Sequence, residues 1–169
     1  MPSSSVAQET VPRRLRNSRR LTGRPFFLRH DGLELRLATG RSDTEAAQKL
    51  RFEVFHLGIR LGLASSFSGG LDRDAHDGYC DHLLVIDTER DCLVGTYRLL
   101  SSDRVPSFGF SSESEFDLTN VKRSGLRLLE LGRSCVALEY RDGRVISLLF
   151  RGIAEYLRLC GADALIGCA

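Results

Sequence analysis

The segment Leu128-Leu129-Glu130-Leu131-Gly132-Arg133-Ser134-Cys135-Val136-Ala137-Leu138 sets a carboxylate and a guanidinium three residues apart in a run rich in Leu, Val, Ala and Cys. Such a run predicts a buried strand, where an unpaired charge costs on the order of several kcal/mol. Both charges must therefore find partners, or the strand must face a cleft where chemistry is done. Side chains alternate along a strand, so Glu130 and Arg133 would point to opposite faces. A β-bulge at Gly132 would add one residue and bring both to the same side, and bulges gather beside active sites. Glu130 in that position suits removal of a proton from a substrate, directly or through a water.

Other charges are placed to join it. Arg51, Arg98 and Arg133 balance Asp74, Asp77 and Glu130, so the six form either a structural ion-pair network or a set that fixes a loop over a substrate. The two readings are compatible. Asp74, His76, Asp77, Cys80, Asp81 and His82 crowd a nine-residue window with metal-ligand chemistry. Their spacing matches no established zinc pattern, so no metal is expected. Asp81 and His82 read instead as the start of a strand whose polar groups satisfy nearby backbone. Cys135 among apolar neighbours reads as an inert thiol, and Phe55, Phe108 and Phe110 read as core side chains or, as the alternative, as contacts to an apolar substrate chain.

The elements that must position these residues follow from periodicity. Leu33 to Ala38 alternates as a strand, and Ser42-Asp43-Thr44-Glu45 has the form of a capping box opening a helix with Ala47, Leu50, Val54 and Leu57 on one face. Ala64–Gly70 reads as a loop. His82–Asp87, the turn Thr88–Asp91 and Cys92–Leu100 make a hairpin. The Glu130 strand follows a long segment carrying Phe108, Phe110 and Phe116. Arg144 to Leu159 is a helix stopped by Gly161, and Ala164–Ala169 starts another strand. This order predicts a mixed α/β sheet with a helix crossing over a parallel pair.

The bulk of the chain narrows its class. At 169 residues one domain is expected. No apolar run approaches the roughly 20 residues of a membrane span, and no secretory signal is visible. Five cysteines without framework spacing indicate reduced thiols and a cytosolic protein. The net charge of +2 divides unevenly: residues 1–30 hold seven arginines against Glu9, or +6, which leaves −4 for the remainder. Residues 1–24 read as a mobile basic tail, either without a role or drawn to an acidic partner or anionic membrane. No nucleic-acid motif accompanies it. Residues 25–169 form the folded domain, and its apolar final strand suggests a sheet that lacks its C-terminal elements.

Several motifs in order resemble one family. Leu50–Phe55 (LRFEVF), Asp72–Val85 (DRDAHDGYCDHLLV), Val94–Leu100 (VGTYRLL), Ser112–Leu118 (SESEFDL) and Glu130–Val136 (ELGRSCV) are similar to the ornithine-lipid N-acyltransferases. These are GNAT-superfamily enzymes related to acyl-homoserine-lactone synthases. The resemblance implies a GNAT-like, mostly antiparallel sheet flanked by helices. It also implies transfer of a 3-hydroxyacyl chain from acyl carrier protein to the α-amino group of ornithine, the first step of ornithine lipid synthesis. By position it implies Glu130 as catalytic base and Arg51, Phe55, Asp74, Asp77, Arg98 and Arg133 as substrate-binding residues. His76 stands where relatives usually have Phe, and Gly58 where an acid is common. Arg141-Asp142-Gly143-Arg144 supplies one glycine where acetyl-CoA enzymes have a glycine-rich pyrophosphate loop, which favours a carrier-protein donor and no separate cofactor. The expected location is cytoplasmic, with peripheral contact at the inner membrane face through the basic arm. The alternatives are another amine acceptor, as in acyl-homoserine-lactone synthases, and a non-catalytic module that binds carrier protein or membrane.

Overall fold

The computed structural model describes residues 26–58 and 69–168, so the basic arm of residues 1–24 and most of the expected 64–70 loop lie outside the described residues. Within them, six strands form one sheet in the order of the sequence: β1 (Phe27–His30), β2 (Leu33–Leu37), β3 (Asp81–Asp87), β4 (Cys92–Ser101), β5 (Leu128–Val136) and β6 (Ala164–Ile166). Neighbours from β1 to β5 are antiparallel, and β5 pairs with β6 in parallel. β1 is an edge strand beyond the sequence expectation. Its four residues lie mostly exposed, so they carry little of the alternation that marks a half-buried strand.

Two long helices cover the sheet from opposite sides. α3 (Arg144–Cys160) crosses over the parallel pair, and its Val145, Leu148, Leu149, Ile153 and Tyr156 are buried against Leu35, Leu83, Val85, Leu99 and Leu129. It ends at Gly161, whose left-handed backbone (φ 64°) accepts the helix's last turn. α1 (Arg41–Phe52) lies on the other face, with Ala47 against Ala38 and Leu84 and Leu50 beside Cys135. A short α2 (Thr119–Arg123) lies in the connection between β4 and β5.

The start of α1 differs from the expected capping box. The cap position is Gly40 and no side chain caps it. Asp43 reaches back instead, accepting the Thr39 N–H at 2.8 Å and pairing with both guanidinium nitrogens of Arg36 at 2.6 and 2.8 Å. The Arg36 hydrogen bond holds the Asp43 carboxyl well below the usual carboxylate range. A β2 arginine facing the helix start competes for the acid, and a one-dimensional motif has no sign of that rival. Past Phe52 the helix widens into a π-turn over Glu53–Gly58, a distortion that collects at functional sites.

The close approach of α3 to the sheet depends on two glycines. A Cβ on Gly95 would lie 2.4 Å from Val145 Cγ1, and one on Gly152 would lie 2.8 Å from Leu35 Cδ1. Gly95→Ala is therefore expected to destabilise the protein by about 1–3 kcal/mol through overpacking. Gly152→Ala should cost less, because the Leu35 tip can turn and alanine favours the helix by about 1 kcal/mol. Urea unfolding midpoints of the two variants check the order.

Candidate active site

Three arginines from three elements converge on three aspartates of the loop preceding β3. Arg51, on α1, is 1 % exposed. Its Nη1 and Nη2 donate to the two carboxylate oxygens of Asp77 at 3.1 and 2.7 Å, Nη2 also reaches the Asp72 carbonyl, and Nε lies 3.2 Å from Asp72 Oδ1. Arg98, on β4, donates from Nη1 to Asp74 Oδ2 at 2.6 Å and Asp77 Oδ1 at 3.1 Å. Arg133, on β5, pairs with both oxygens of Asp72, and its guanidinium sits 4.4 Å from the centre of the Phe55 ring, within cation–π range. Gln48 Nε2 completes Asp77 at 2.9 Å. Asp74 Oδ1 accepts the backbone N–H of His76 and Asp77, folding the loop into the turn that presents both acids.

Burial tells on the titration of this cluster. Desolvation works against the Asp77 anion, but the Arg51 hydrogen bond and the charges of Arg51 and Arg98 overcome it and hold the carboxyl at about 2. His82 at the start of β3 is pushed down to about 4 by burial, so its imidazole is neutral in neutral solution. Burial raises the Cys135 and Cys80 thiols to about 12, as expected of inert side chains. No group of three or more His, Cys, Asp or Glu among the described residues is placed to hold a metal ion. Asp81 satisfies side chains in place of the expected backbone: Tyr156 Oη donates to it at 2.8 Å and Arg104 Nη1 at 3.0 Å.

Glu130 occupies a separate berth on the same face of the sheet. It is 3 % exposed, and its carboxylate accepts the Ser111 N–H at 3.0 Å on Oε2, and the Ser112 N–H at 2.6 Å and Ser112 Oγ at 2.5 Å on Oε1. Leu100, Leu128 and Phe110 are buried in the apolar cluster on this side. Glu130 pairs with Leu100 across the sheet, and Gly132 pairs with Arg98, so Arg98 and Glu130 are diagonal neighbours, about 7–8 Å apart at Cα in regular sheet. A Cβ on Gly132 would lie 3.8 Å from Arg98 Nη2, which shows that the guanidinium lies across this glycine.

The structure thus joins Arg51, Asp74, Asp77 and Arg98 in one ladder. It links Arg133 and Phe55 to that ladder through Asp72, and sets Glu130 beside it with partners of its own. The expected bulge is present but falls one residue later. Thr96 pairs with Cys135 and Arg98 with Gly132, so Arg133 and Ser134 oppose Tyr97 alone, and Arg133 adopts a left-handed φ of 52°. Arg133 thereby turns to Asp72, a residue for which sequence reading finds no role although it lies in the same motif. The Asp-x-Asp-x-x-Asp spacing of residues 72–77 was the available signal. Ser112, also within a quoted motif, has no signal of its own. Of the aromatics, Phe110 is buried as expected, whereas Phe108 is 51 % exposed, with edge contacts to His76 and Tyr79. β5 and β6 stay paired through Glu130, which pairs with Ile166. Beyond that point β5 continues to Val136, while β6 ends at Ile166. Two surface clefts, of about 410 Å³ beside Phe27 and Arg151 and about 340 Å³ beside Asp87 and Arg144, share no residue with the cluster.

The sheet is bulged at its inner strand, carries a helix on each face and gathers charged residues beside the bulge. The chain belongs to the GNAT acetyltransferase family, whose domain matches residues 50–151. It is 44 % identical over 147 residues to an L-ornithine N(alpha)-acyltransferase of Brucella abortus, across 81 % of this chain and 52 % of that protein. It is 42 % identical over 153 residues to an L-ornithine N(alpha)-acyltransferase of Agrobacterium fabrum, across 85 % of this chain and 52 % of the relative. The chain spans about half the length of these curated relatives. Among solved structures it shares its fold with FeeM, an N-acyl amino acid synthase from uncultured soil microbes (TM-score 0.61, 16 % identity, 80 % of this chain and 70 % of that one). The AHL synthase LasI is similar too (TM-score 0.56, 14 % identity, 80 % and 71 %).

Two outcomes test the cluster. Arg51→Ala should cost roughly 3–5 kcal/mol, because it takes one of two arginine partners from each of the buried carboxylates of Asp72 and Asp77, and Arg51→Lys should recover little of it, since one ammonium cannot span both oxygens of Asp77. Stability should also fall on acidification in two stages. Between pH 6.5 and about 4 the unfolded chain protonates its histidine while folded His82 stays neutral. Below 3.8, the contribution of Asp77 is lost as pH passes through about 2. Chemical denaturation across pH checks this, and His82→Gln should flatten the first stage.

Proposed function

We propose that the protein is an N-acyltransferase that moves a 3-hydroxyacyl chain from acyl carrier protein to the α-amino group of L-ornithine. The observation that carries this reading is a buried carboxylate, Glu130, fixed on the inner strand beside the bulge, in a chain 39–44 % identical to four L-ornithine N(alpha)-acyltransferases.

The chemistry follows from what an amine needs. The α-ammonium passes a proton to Glu130, directly or through one water, and the neutral nitrogen attacks the thioester carbonyl. The C–N bond forms, the C–S bond breaks, and the leaving carrier thiolate takes one of the two protons left on nitrogen, so the amide keeps one; Glu130 then returns its proton to water. Negative charge on the carbonyl oxygen calls for fixed donors, and the peptides opposite Tyr97 in the bulge, freed from the regular ladder, suit that role.

The ion-pair ladder acts first as scaffold. Arg51 is buried and spends both of its Nη groups on the aspartate loop, so its part in substrate binding is to hold that loop in place. Asp74, 22 % exposed at its side chain, is the accessible end of the ladder and the acid best placed for the ammonium of the acceptor's side chain. Arg133, with its side chain 19 % exposed beside Phe55, is the cation best placed for the acceptor's carboxylate. The carrier-protein donor is supported by the single glycine, Gly143, before α3, which offers no glycine-rich cradle for a pyrophosphate. The proposed location is cytoplasmic, with the basic arm at the inner membrane face; no helix among the described residues is long and apolar enough to cross a membrane.

The test is direct. Full-length protein incubated with 3-hydroxyacyl carrier protein and ornithine should form N-acyl ornithine, and Glu130→Gln should lower kcat roughly 100- to 10,000-fold with the fold retained. Mass spectrometry of the product reads the result. Binding of the carrier without product would instead indicate a non-catalytic module.

A further inference from the structure

Glu130 takes its hydrogen bonds from one short turn, Ser111–Ser114, and that turn is braced on two sides. From within, Glu113 Oε1 accepts the Phe110 N–H at 2.8 Å while Lys122 Nζ holds the same carboxylate at 2.9 Å. From the aspartate loop, His76 Nε2 lies 3.1 Å from the Gly109 carbonyl and donates to it. Gly109 itself has φ 88°, and a Cβ there would lie 2.6 Å from Glu113 Oε1, so the tight path into the turn requires glycine.

The outcome is an uneven loading of the two oxygens. Oε1 accepts two hydrogen bonds, from the Ser112 N–H and hydroxyl, and Oε2 accepts one, from the Ser111 N–H. A carboxylate oxygen has two lone-pair directions, so Oε1 is saturated and Oε2 keeps one open. Ser112 is itself 3 % exposed, so its hydroxyl is not shared with bulk water.

We infer that Ser112 is a positioning residue for the proposed acyl transfer: by saturating Oε1 it orients Glu130 so that Oε2 receives the proton of the acceptor amine. This rests on the reading of Glu130 as proton acceptor. Ser112 acts through Glu130 and touches no substrate. In general, a hydrogen bond donated to a carboxylate stabilises its charged form.

The experiment compares wild type, Ser112→Ala, Ser112→Thr, Glu130→Gln and the Ser112→Ala/Glu130→Gln double variant, with 3-hydroxyacyl carrier protein and ornithine. Ser112→Ala should lower kcat roughly 10- to 100-fold with KM for ornithine little changed, as expected for loss of a hydrogen bond to a charged group. The acid limb of its kcat–pH profile should move to higher pH. Ser112→Thr, which keeps the hydroxyl, should restore both. In the Glu130→Gln background, Ser112→Ala should cost nothing further. An active wild type whose Ser112→Ala variant keeps its kcat and pH profile, or whose loss multiplies with that of Glu130→Gln, overturns the inference alone. Should Ser112→Ala fail to fold, Ser112→Cys replaces it, with the same direction expected from its weaker donor and the same outcomes deciding. An inactive wild type overturns the acyltransferase reading, and this inference with it.

Discussion

The bidentate grip of Arg51 on Asp77, deep beneath α1, is the constraint on which this face of the sheet depends. Of three aspartates within six residues, the loop that leads to β3 drives Asp72 and Asp77 into the interior and leaves Asp74 at the rim. Left alone they would repel one another and forfeit their hydration. Arg51, Arg98 and Arg133 supply one positive charge each, from a helix and two strands that are distant in sequence. Such a network is weak evidence for net stability, because desolvation offsets much of the Coulomb gain. Its value lies in geometry: each guanidinium has a fixed fork, and the loop can meet all three only in one conformation.

That fixed loop links the ladder to Glu130. Arg98 lies over Gly132 on one side, and His76 ties the loop to the turn that holds the Glu130 carboxylate on the other. The ladder is electrically closed, while Glu130 is paired with neutral N–H and O–H donors and carries its charge uncompensated by any ion pair among the described residues. A carboxylate held by neutral dipoles remains a better proton acceptor than one clasped by a guanidinium. The separation of Glu130 from the arginines, which sequence reading would have joined, is therefore consistent with the role proposed for it.

How much of this was legible differs by element. The β3–β4 hairpin and α3 are plain in sequence, because alternation and the 3.6-residue repeat survive wherever one face of an element is buried. β1 is not, since an exposed edge strand has little apolar pattern to read. The expected strand at Ala164–Ala169 is present but ends at Ile166. Charge content identified the right arginines and aspartates, yet partner choice did not follow from it. Arg133 looked like the companion of Glu130 on the same strand and belongs to Asp72, sixty-one residues away.

The sequence by itself determined the order of elements, the balance of buried charges and the presence of a bulge in the Glu130 strand, because each depends on local periodicity, composition or the glycine beside it. Only the tertiary structure decided which oxygen meets which nitrogen. The bulge fell at Arg133, the helix-start acid turned to Arg36, and a serine turn between β4 and β5 came to clasp Glu130. Hydrogen bonds of this kind act over about 3 Å and are chosen among competing partners brought close by folding, so no spacing along the chain encodes them.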